Sequence, residues 1–518
     1  MSLTKNLYLL IFLTLAISCG KKENFSNVPQ QKSFDGLIIK SPSLELNKAF
    51  IWAQEKALSY VQTNNTGPIN AWENGPGTDS VKYIPSYWAG YPKRSAFYSR
   101  DFCHQLEGAH LLGLEKENFS MMKAFASSAS ESKKWYPLWA INFDGSAYTI
   151  DYKSDSNFVR EVPATFELVE KAYELYKWTG DPRYLENNIL WTFYSKAVNE
   201  FIELHDQIIP NGIAEGTGKG IFDGAASYNE QRDQPLIEAG DAIASQYKAF
   251  TAFAKMAEIR QLPELTSDFN KKASDLKNYF NTDWGVKNSN LFNRGYLADG
   301  TPVDGWGKEN SWFMPMKGIT KKGSLRTLDY LNFIDERLES KEDIPDNIEA
   351  ISYIPETFFL HNQNELGWKW MKHIINKLDQ DHSYSSATGR NGDYPEVSYV
   401  LIRNVIVDLL GIIPNASKNE LSTLSHLPNE LEFLEVENIK IGNSVLKVRH
   451  QGTQSSSIKY LSGDQVLTWK AEFPGNFKNM LVNEEEKDAT QVIEDGFEKS
   501  NIIIHLSPGE EIEVIVKE

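Results

Sequence analysis

The chain of 518 residues is acidic, with 70 Asp and Glu against 53 Lys and Arg and a formal net charge of -17. Nucleic-acid binding needs clustered Lys and Arg, and no long basic run occurs, so we expect no nucleic-acid partner. The length predicts two to four domains. Aromatic residues make up 12% of the chain, which is compatible with a sugar-binding cleft because ring faces stack on the apolar faces of sugars.

Residues 1–19, "MSLTKNLYLLIFLTLAISC", have the basic start and short apolar run of a secretory signal, too short for a comfortable membrane span. The small residue before Cys19 resembles a bacterial lipobox. We therefore expect a lipidated Cys19 that anchors an exported lipoprotein to a membrane, in the periplasm or on the outer membrane of a Gram-negative bacterium. A plain signal peptide or a short anchor is the alternative. The polar residues 20–36 predict a tether.

Helical periodicity dominates residues 37–415. In "ATFELVEKAYELYKWTGDPRYL", Phe166, Val169, Tyr173 and Tyr176 form one apolar stripe, and Gly180 is placed to end the helix. The pattern of helix, breaker and second helix recurs along the chain, which predicts repeated helical hairpins. The hairpins are separated by long loops rich in Gly, Asp, Asn and aromatics, and loops of this length are usually functional or disordered. They are residues 66–95, 142–160, 211–235, 298–318 and 380–396.

The pattern changes after residue 415. Runs such as "LEFLEVENIKIGNSVLKVRHQG" and "NIIIHLSPGEEIEVIVKE" alternate apolar and polar residues between Gly, Asn and Pro turns. They predict a small antiparallel β-sandwich over residues 420–518.

Helical hairpins followed by a sandwich resemble the six-hairpin, or (α/α)6-barrel, glycosidase superfamily. The segments "KSPSLELNKAFIWAQEKAL" and "YPEVSYVLIRNVIVDLLGIIPNA" look like the first and last barrel helices of α-L-rhamnosidase-type proteins. The resemblance implies a mainly α fold, an (α/α)6 toroid whose loops form a sugar funnel at one end. It does not fix the reaction, because several chemistries share the barrel.

The stretch "YSRDFCHQLEGAHLLGL" places titratable groups at the start of an apolar helix. We expect Arg100, Asp101 and His104 to face the funnel, with His104 or Tyr98 as a catalytic base and Asp101 orienting His104. Arg100 and Asp101 would contact substrate. The alternative is that Asp101 is an N-cap and His104 a satisfied structural histidine.

Two further loops carry paired chemistry. In "YNEQRDQPLIEAGD", Glu230 is a candidate acid or base and Arg232 a clamp for a substrate anion, although ordinary ion pairing is equally open. In "GRNGDYPEVSY", Arg390 is a candidate substrate ligand, and Glu396 is either catalytic or a complement to the helix dipole. Trp88 and Trp306 are candidate stacking platforms. No metal-ligand spacing or nucleotide loop is present, so we expect no metal and no cofactor.

Three functions remain open. A glycoside hydrolase would use two carboxylates, such as Glu230 and Glu396. Guanidinium groups in the loops (Arg94, Arg100, Arg160, Arg232 and Arg390) favour an acidic oligosaccharide as substrate. The chain also looks like the six-hairpin proteins of marine bacterial ulvan degradation, which implies an oligosaccharide dehydratase that removes water from a terminal uronate linked to sulfated rhamnose. A sugar-binding lipoprotein without catalysis is the third possibility.

Overall fold

Six outer helices alternate along the chain with the helices of an inner ring in the computed structural model. The model describes residues 36–71, 80–91, 94–154, 157–220, 223–228, 235–284, 291–382, 389–494 and 496–517. The predicted residues Cys19, Glu230 and Arg232 lie outside these ranges. Among the described residues, no helix has the length and hydropathy needed to cross a membrane.

The outer helices are amphipathic and keep one polar face in solvent. Ser43 caps the first of them by accepting a hydrogen bond from the Leu46 N–H. They are α1 (Leu44–Ser59), α3 (Glu115–Ser128), α5 (Asn188–Ala197), α7 (Pro263–Thr282), α9 (Leu325–Glu339) and α12 (Asn364–Lys377).

The inner helices are mostly buried around their circumference. They are α2 (Ser99–Leu111), α4 (Val162–Thr179), α6 (Gly240–Ile259), α8 (Glu309–Met316), the pair α10 (Ile348–Ser352) and α11 (Ile354–Phe359), and α13 (Pro395–Arg403). Each packs on the next, and α13 returns to α2, so the ring closes. A Cβ on Gly108 would lie 2.1 Å from the Tyr399 carbonyl oxygen, so these two helices meet backbone to backbone.

The predicted (α/α)6 barrel is therefore confirmed, with local differences. The expected stripe of α4 is buried or half-buried, and Gly180 ends the helix in the left-handed conformation (φ 66°). After Pro235 the next helix begins at Gly240, following a short strand that contains Glu238. Beyond α5, Asn199 is non-helical and a separate short helix covers Glu200–His205. Another short helix covers Arg183–Glu186.

The inner helix α13 continues into a wider π-helical turn, Asn404–Leu409. This turn brings the Asp408 carboxylate to 2.7 Å from Nη1 of Arg403, five residues earlier. The end of the last barrel helix and the π-helical turn that follows it are thus joined by an ion pair inside the barrel.

Two sheets form the C-terminal sandwich. Their strands are β2 (Ile412–Asn415), β3 (Glu420–Leu424), β4 (Phe433–Ile441), β5 (Ser444–Gln451), β6 (Ser455–Ser462), β7 (Leu467–Pro474), β8 (Asn479–Val482), β9 (Glu485–Asp488), β10 (Thr490–Glu494), β11 (Phe497–Leu506) and β12 (Glu511–Val516). With the N-terminal strand β1 (Ile38–Lys40), the sheet orders are β1-β4-β5-β6-β12-β8-β9 and β2-β3-β7-β11-β10. Alternating burial along β5 places one face of the sheet in the core.

The sandwich departs from the prediction in two details. The β3–β7 pairing is parallel, with Leu421 opposite Trp469, so the sandwich is not wholly antiparallel. The strand β1 joins it from the other end of the chain, with Ile38 opposite Glu437. An alternating run of three residues is too short to be recognised as a strand from its sequence.

The sandwich packs against the barrel through polar contacts. The Gly442 N–H donates to the Trp178 carbonyl at 2.8 Å, and Lys440 forms an ion pair with Glu115 at 2.6 Å. His110 lies 3.3 Å from the Lys440 carbonyl and is buried, so its position at this junction agrees with a structural role.

Short strands also pair with one another in the loops. These strands are Thr66–Gly67 with Val81–Lys82, Ala96–Tyr98 with Ala140–Asn142, Tyr152–Ser154 with Asn157–Phe158, and a three-stranded set of Glu238–Ala239, Gly295–Tyr296 and Pro302–Val303. The second pairing fixes the chain immediately before α2, which starts at Ser99.

Candidate active site

An acidic side chain lies at the amino end of each of the six helix positions in the inner ring of the barrel. All six are buried, with at most 7% of each residue exposed. A helix start is electropositive and stabilises a nearby anion. Here, however, six such helix starts bring six carboxyl groups to the same end of the barrel. We call this set the carboxylate ring: Asp101, Glu161, Asp241, Glu309, Glu349 and Glu396.

Burial holds protons on part of the carboxylate ring. It raises the pKa of Glu396 well above the usual value, with the neighbouring Asp101 charge as a further cause. Burial also raises the pKa of Glu349, and it raises that of Asp241 to about 7. The ring therefore contains carboxyl groups that can donate a proton near neutral pH.

Only one of the two carboxyl oxygens of Glu396 has a hydrogen bond with the described residues. The Tyr353 hydroxyl donates a hydrogen bond to its Oε1, whereas its Oε2 is buried without a hydrogen-bond partner among the described residues. The Tyr353 ring stacks in turn on the His104 ring, with centroids 3.8 Å apart and planes 18° apart. Glu396, Tyr353 and His104 thus form one packed column.

His104 is buried and neutral. Burial lowers its pKa well below the usual value, and the charges of Lys317 and Lys171 lower it further. Its Nε2 lies 3.6 Å from Oε2 of Glu167, one turn into α4. A neutral imidazole can accept a proton, and the lowered pKa makes His104 a weaker base than a solvent-exposed histidine. The assignment of His104 as the base stays a prediction.

The predicted partner of His104 was wrong. Asp101 does not contact it; the Tyr394 hydroxyl donates to Asp101 at 3.5 Å. Asp101 is also not the N-cap, because Tyr98 takes that position and α2 has no side-chain cap. The carboxylate that lies beside His104 is that of Glu167, at 3.6 Å from its Nε2. Glu167 comes from the neighbouring inner helix, which sequence spacing does not show.

Among the loop arginines of the sequence analysis that the structure describes, only Arg100 places its guanidinium beside the carboxylate ring. Its Cζ lies 5.3 Å from the Tyr228 ring centroid. Burial opposes its charge, while Tyr353, Asp101, Glu161 and Glu309 raise its pKa, so these groups surround it. Within the described ranges, no carboxylate oxygen lies within ion-pairing distance of it, and it makes no hydrogen bond.

The other arginines are committed elsewhere. Arg94 donates to the Tyr98 hydroxyl at 2.9 Å, and Arg160 lies over the Tyr136 ring. Arg390 is exposed and pairs with Asp379 at 3.1 Å on the surface, so the structure does not bring it to the carboxylate ring. Of the five arginines that the sequence places in loops, Arg94 and Arg160 therefore contact neighbouring tyrosines, and Arg390 forms a surface ion pair.

Three predicted aromatics also lie outside the carboxylate ring. Tyr98 packs edge-on against Trp139 in a small separate apolar cluster. Trp88 packs on Phe143, and its Nε1 donates to the Tyr91 carbonyl at 3.3 Å. Trp306 packs against Trp312 and Phe333, and its Nε1 donates to the Asp343 carbonyl at 2.8 Å. These rings stabilise the walls of the site.

Tyr228 is anchored to two inner helices. Its hydroxyl donates to Glu167 at 2.6 Å, and its backbone N–H donates to Asp241 at 2.8 Å. Ser227 adds a hydrogen bond to the same Asp241 oxygen at 2.9 Å. The chain immediately before Glu230 and Arg232 is therefore fixed at the carboxylate ring.

Paired charges fill the barrel beneath the carboxylate ring. Arg403 contacts Glu107 at 3.0 Å, Glu356 at 2.8 Å and Asp408 at 2.7 Å. Lys317 lies 2.6 Å from both Glu167 and Glu170, and Lys171 lies 3.4 Å from Glu107. We call these eight residues the interior network: Glu107, Glu167, Glu170, Lys171, Lys317, Glu356, Arg403 and Asp408.

Sequence reasoning missed Glu161, Glu309, Glu349, Tyr353 and Tyr394. The available signal was an acidic residue beside the first turn of each inner helix, but dipole complementarity explains such a residue equally well. In the described ranges, no group of His, Cys, Asp and Glu side chains is arranged to hold a metal ion.

Comparison with solved structures confirms the six-hairpin resemblance at the level of fold. The α-L-rhamnosidase from Dictyoglumus thermophilum superposes with a TM-score of 0.59 at 13% identity, covering 93% of this chain and 50% of its own. The GH78 family rhamnosidase of Bacillus sp. GL1 gives 0.54 at 10% identity, covering 82% and 40%. A putative kojibiose phosphorylase from the human microbiome gives 0.53 at 9% identity, covering 90% and 63%.

This chain spans about half the length of the first of these proteins. No family model and no curated protein matches the sequence. At such low identity the likeness establishes the (α/α)6 barrel with a β domain, and the chemistry depends on the site itself.

Proposed function

We propose that the chain is a carbohydrate-active enzyme that acts on the terminal uronic acid of an acidic oligosaccharide. The carrying observation is Arg100, a guanidinium without an ion-pair partner among the described residues, although Asp101, Glu161 and Glu309 lie around it. A planar guanidinium binds a carboxylate bidentately, so a uronate would supply the missing partner.

The reaction proposed first is removal of water. Arg100 and His104 are four residues apart on α2, so they share one face of the helix. A uronate carboxylate on Arg100 would bring the adjacent C5 toward His104, whose imidazole takes the C5 proton. Arg100 stabilises the negative charge that develops on the carboxylate. Glu396 donates its proton to the C4 oxygen, the C4–O bond breaks, and water leaves as the C4–C5 double bond forms.

Glycoside hydrolysis is the second candidate, and Glu309 favours it. This carboxylate at the start of α8 has no hydrogen bond or ion pair with the described residues, and it stands near Arg100 in the carboxylate ring. A hydrolase needs a protonated acid and a second carboxylate that activates water or attacks. Glu396 and Glu309 would take these roles. The rhamnosidase-like fold supports this candidate too.

One experiment separates the two reactions. The purified protein is incubated with oligosaccharides that end in a uronate linked to sulfated rhamnose, and products are followed by mass spectrometry and ultraviolet absorbance. Loss of one water with a new enoate absorbance and an unshortened sugar supports the dehydratase. Gain of water with a shorter sugar supports the hydrolase, and no product on any uronate-terminated sugar contradicts both.

Single-residue variants test which side chain takes part in each reaction. His104→Gln should abolish dehydration, whereas Glu309→Gln should abolish hydrolysis, and Glu396→Gln should abolish either one. Glu264→Gln is the matched control, because Glu264 occupies the first turn of an outer helix and is exposed. Full activity in a His104→Gln protein would remove the imidazole from the dehydratase mechanism.

A further inference from the structure

The outer helix α1 exposes more large apolar side chains than the other outer helices do. Its residues Leu44, Ile51 and Leu58 are 64%, 51% and 40% exposed. Among the described residues, each of the other five outer helices exposes at most one large apolar side chain. A single exposed apolar residue is ordinary on a protein surface, whereas several on one helix face indicate a contact with another molecule.

These three side chains form one line along α1. They are seven residues apart, which is close to two turns, so they lie within about 40° of one another around the helix axis. Lys48 and Glu55 are exposed and alternate with them, so that all five lie within about 80° of arc. We call this set the α1 stripe: Leu44, Lys48, Ile51, Glu55 and Leu58.

The two charges of the α1 stripe have no partner within the chain. Lys48 and Glu55 form no hydrogen bond or ion pair with the described residues. They do not reach each other either, because seven residues of helix separate them by about 10 Å. By contrast, Lys56 on the flank of the helix pairs with Asp393 at 2.6 Å. The ammonium and carboxylate of the α1 stripe are therefore available to another molecule.

The order of residues in the α1 stripe is self-complementary. Apolar and charged residues alternate, and reversing the direction exchanges the Lys with the Glu. An antiparallel copy centred on Ile51 therefore places Leu44 against Leu58 of the second copy. It also places Lys48 against Glu55 of the second copy, and the two-fold axis repeats both contacts. A parallel copy would place like charges opposite each other.

We propose that the α1 stripe is a dimer interface, through which two copies of this chain pair their α1 helices in antiparallel orientation around a two-fold axis at Ile51. The inference does not depend on the proposed function. The 16 residues of α1 form a face about 24 Å long and about 10–12 Å wide. This face is smaller than the roughly 800 Å² per partner of a stable interface, so the dimer is weak, with a dissociation constant in the micromolar range or above.

Sedimentation velocity of the purified full chain tests the dimer. Up to about 0.5 mM, the wild type should show a reversible equilibrium of monomer and dimer. Ile51→Glu places two carboxylates at the two-fold axis and should weaken the dimer at least about tenfold. Leu325→Glu is the matched control, because Leu325 is 79% exposed on the outer helix α9 but is followed at the same spacing by Asn332 and Glu339. It should leave the equilibrium unchanged.

Charge reversal tests the antiparallel orientation. Lys48→Glu and Glu55→Lys each place like charges across the axis, so each should weaken the dimer about fivefold. The double variant restores opposite charges across the axis and should return the affinity to within about twofold of the wild type. All these positions are exposed, so every variant should keep the circular dichroism spectrum of the wild type.

Three results would overturn the proposal. The first is a wild type that stays monomeric at every concentration, and the second is a dimer that Ile51→Glu leaves intact. The third is a double variant no tighter than its two single variants, because the charges would then not meet across an antiparallel pair. Flotation of a monomeric wild type with phosphatidylglycerol vesicles, lost in Ile51→Glu, would also overturn it and assign the α1 stripe to a lipid surface.

Discussion

The carboxylate ring and the interior network are both rich in buried carboxyl groups, yet they differ in how those groups are paired. In the interior network, Arg403 contacts three carboxylates and Lys317 contacts two. In the carboxylate ring, Oε2 of Glu396 and the Arg100 guanidinium have no partner among the described residues. Burial alone therefore does not distinguish the two sets. The missing partner does, and an unpaired buried polar group costs about 1–3 kcal/mol.

The pKa directions of Glu170 and Asp241 follow the same division. Burial would raise the pKa of Glu170, but the charges of Lys317 and Lys171 lower it to about 2. Asp241 receives hydrogen bonds but no cation, and burial raises its pKa to about 7. Asp408 is an exception within the interior network, because burial raises its pKa to about 7 although Arg403 opposes the shift. Pairing with lysines keeps Glu170 charged, whereas burial without a cation keeps protons on Asp241.

The largest expected effect comes from breaking the interior network. Arg403→Met leaves Glu107, Glu356 and Asp408 without their shared cation, and should lower the free energy of unfolding by about 3–5 kcal/mol. Urea unfolding followed by circular dichroism measures this. Arg390→Met, which loses one surface pair, serves as the control and should cost less than about 1 kcal/mol. Similar losses in both variants would contradict the contrast.

Changes in pH should act on the two regions in opposite directions. The depressed pKa of Glu170 contributes stability above about pH 4.5, which is lost as the pH falls toward about 2. The raised pKa of Asp241 contributes stability below about pH 4, which is lost as the pH rises through about 7. Each term is on the order of 3 kcal/mol. Urea midpoints between pH 3 and 8 should show a smaller acid decline in Glu170→Gln and a smaller decline toward pH 7 in Asp241→Asn.

Removing Arg100 should affect activity rather than stability. Arg100→Met should lower kcat/KM on uronate-terminated sugars about a hundredfold, equivalent to about 2.7 kcal/mol, because the substrate carboxylate loses its partner. Its free energy of unfolding should change by less than about 1 kcal/mol, since no ion pair with the described residues is broken. A variant as unstable as Arg403→Met would place Arg100 among the structural charges.

The smallest expected effect comes from Tyr353→Phe. It removes the hydrogen bond to Glu396 but keeps the ring stacked on His104, and should lower kcat about tenfold, or about 1.4 kcal/mol. That hydrogen bond lowers the pKa of Glu396, so its loss should move the alkaline decline in activity to higher pH. The pH profile of kcat/KM measures the shift. A decline that moves to lower pH would contradict the assignment of Glu396 as the acid.

The sequence was informative wherever a local pattern determined the structure. Helical stripes, the Gly180 stop and the alternating strands predicted the barrel and the sandwich, and the start of α2 pointed to Arg100 and His104. These features depend on neighbours within a few residues. The fold likeness to the rhamnosidases agrees with that interpretation.

The composition of the site could not be predicted because it depends on distant residues. Glu309 and Glu349 reach Arg100 and Glu396 only when the barrel closes. Tyr353 stacks on His104 across about 250 positions of sequence. A single sequence does not report such distances, and so Glu167 was not recognised as the carboxylate beside His104.

The pairing of β1 with β4 has a consequence for how the protein is made. Ile38 meets Glu437 about 400 residues later, and α1 likewise packs on α13 near the end of the barrel. At a synthesis rate of about 5–20 residues per second, the first strand would wait on the order of 20–80 s for its partner. Translation thus sets a minimum delay before the barrel can close through the contact of α1 with α13. The apolar face of α1 would need to be shielded from solvent throughout that interval.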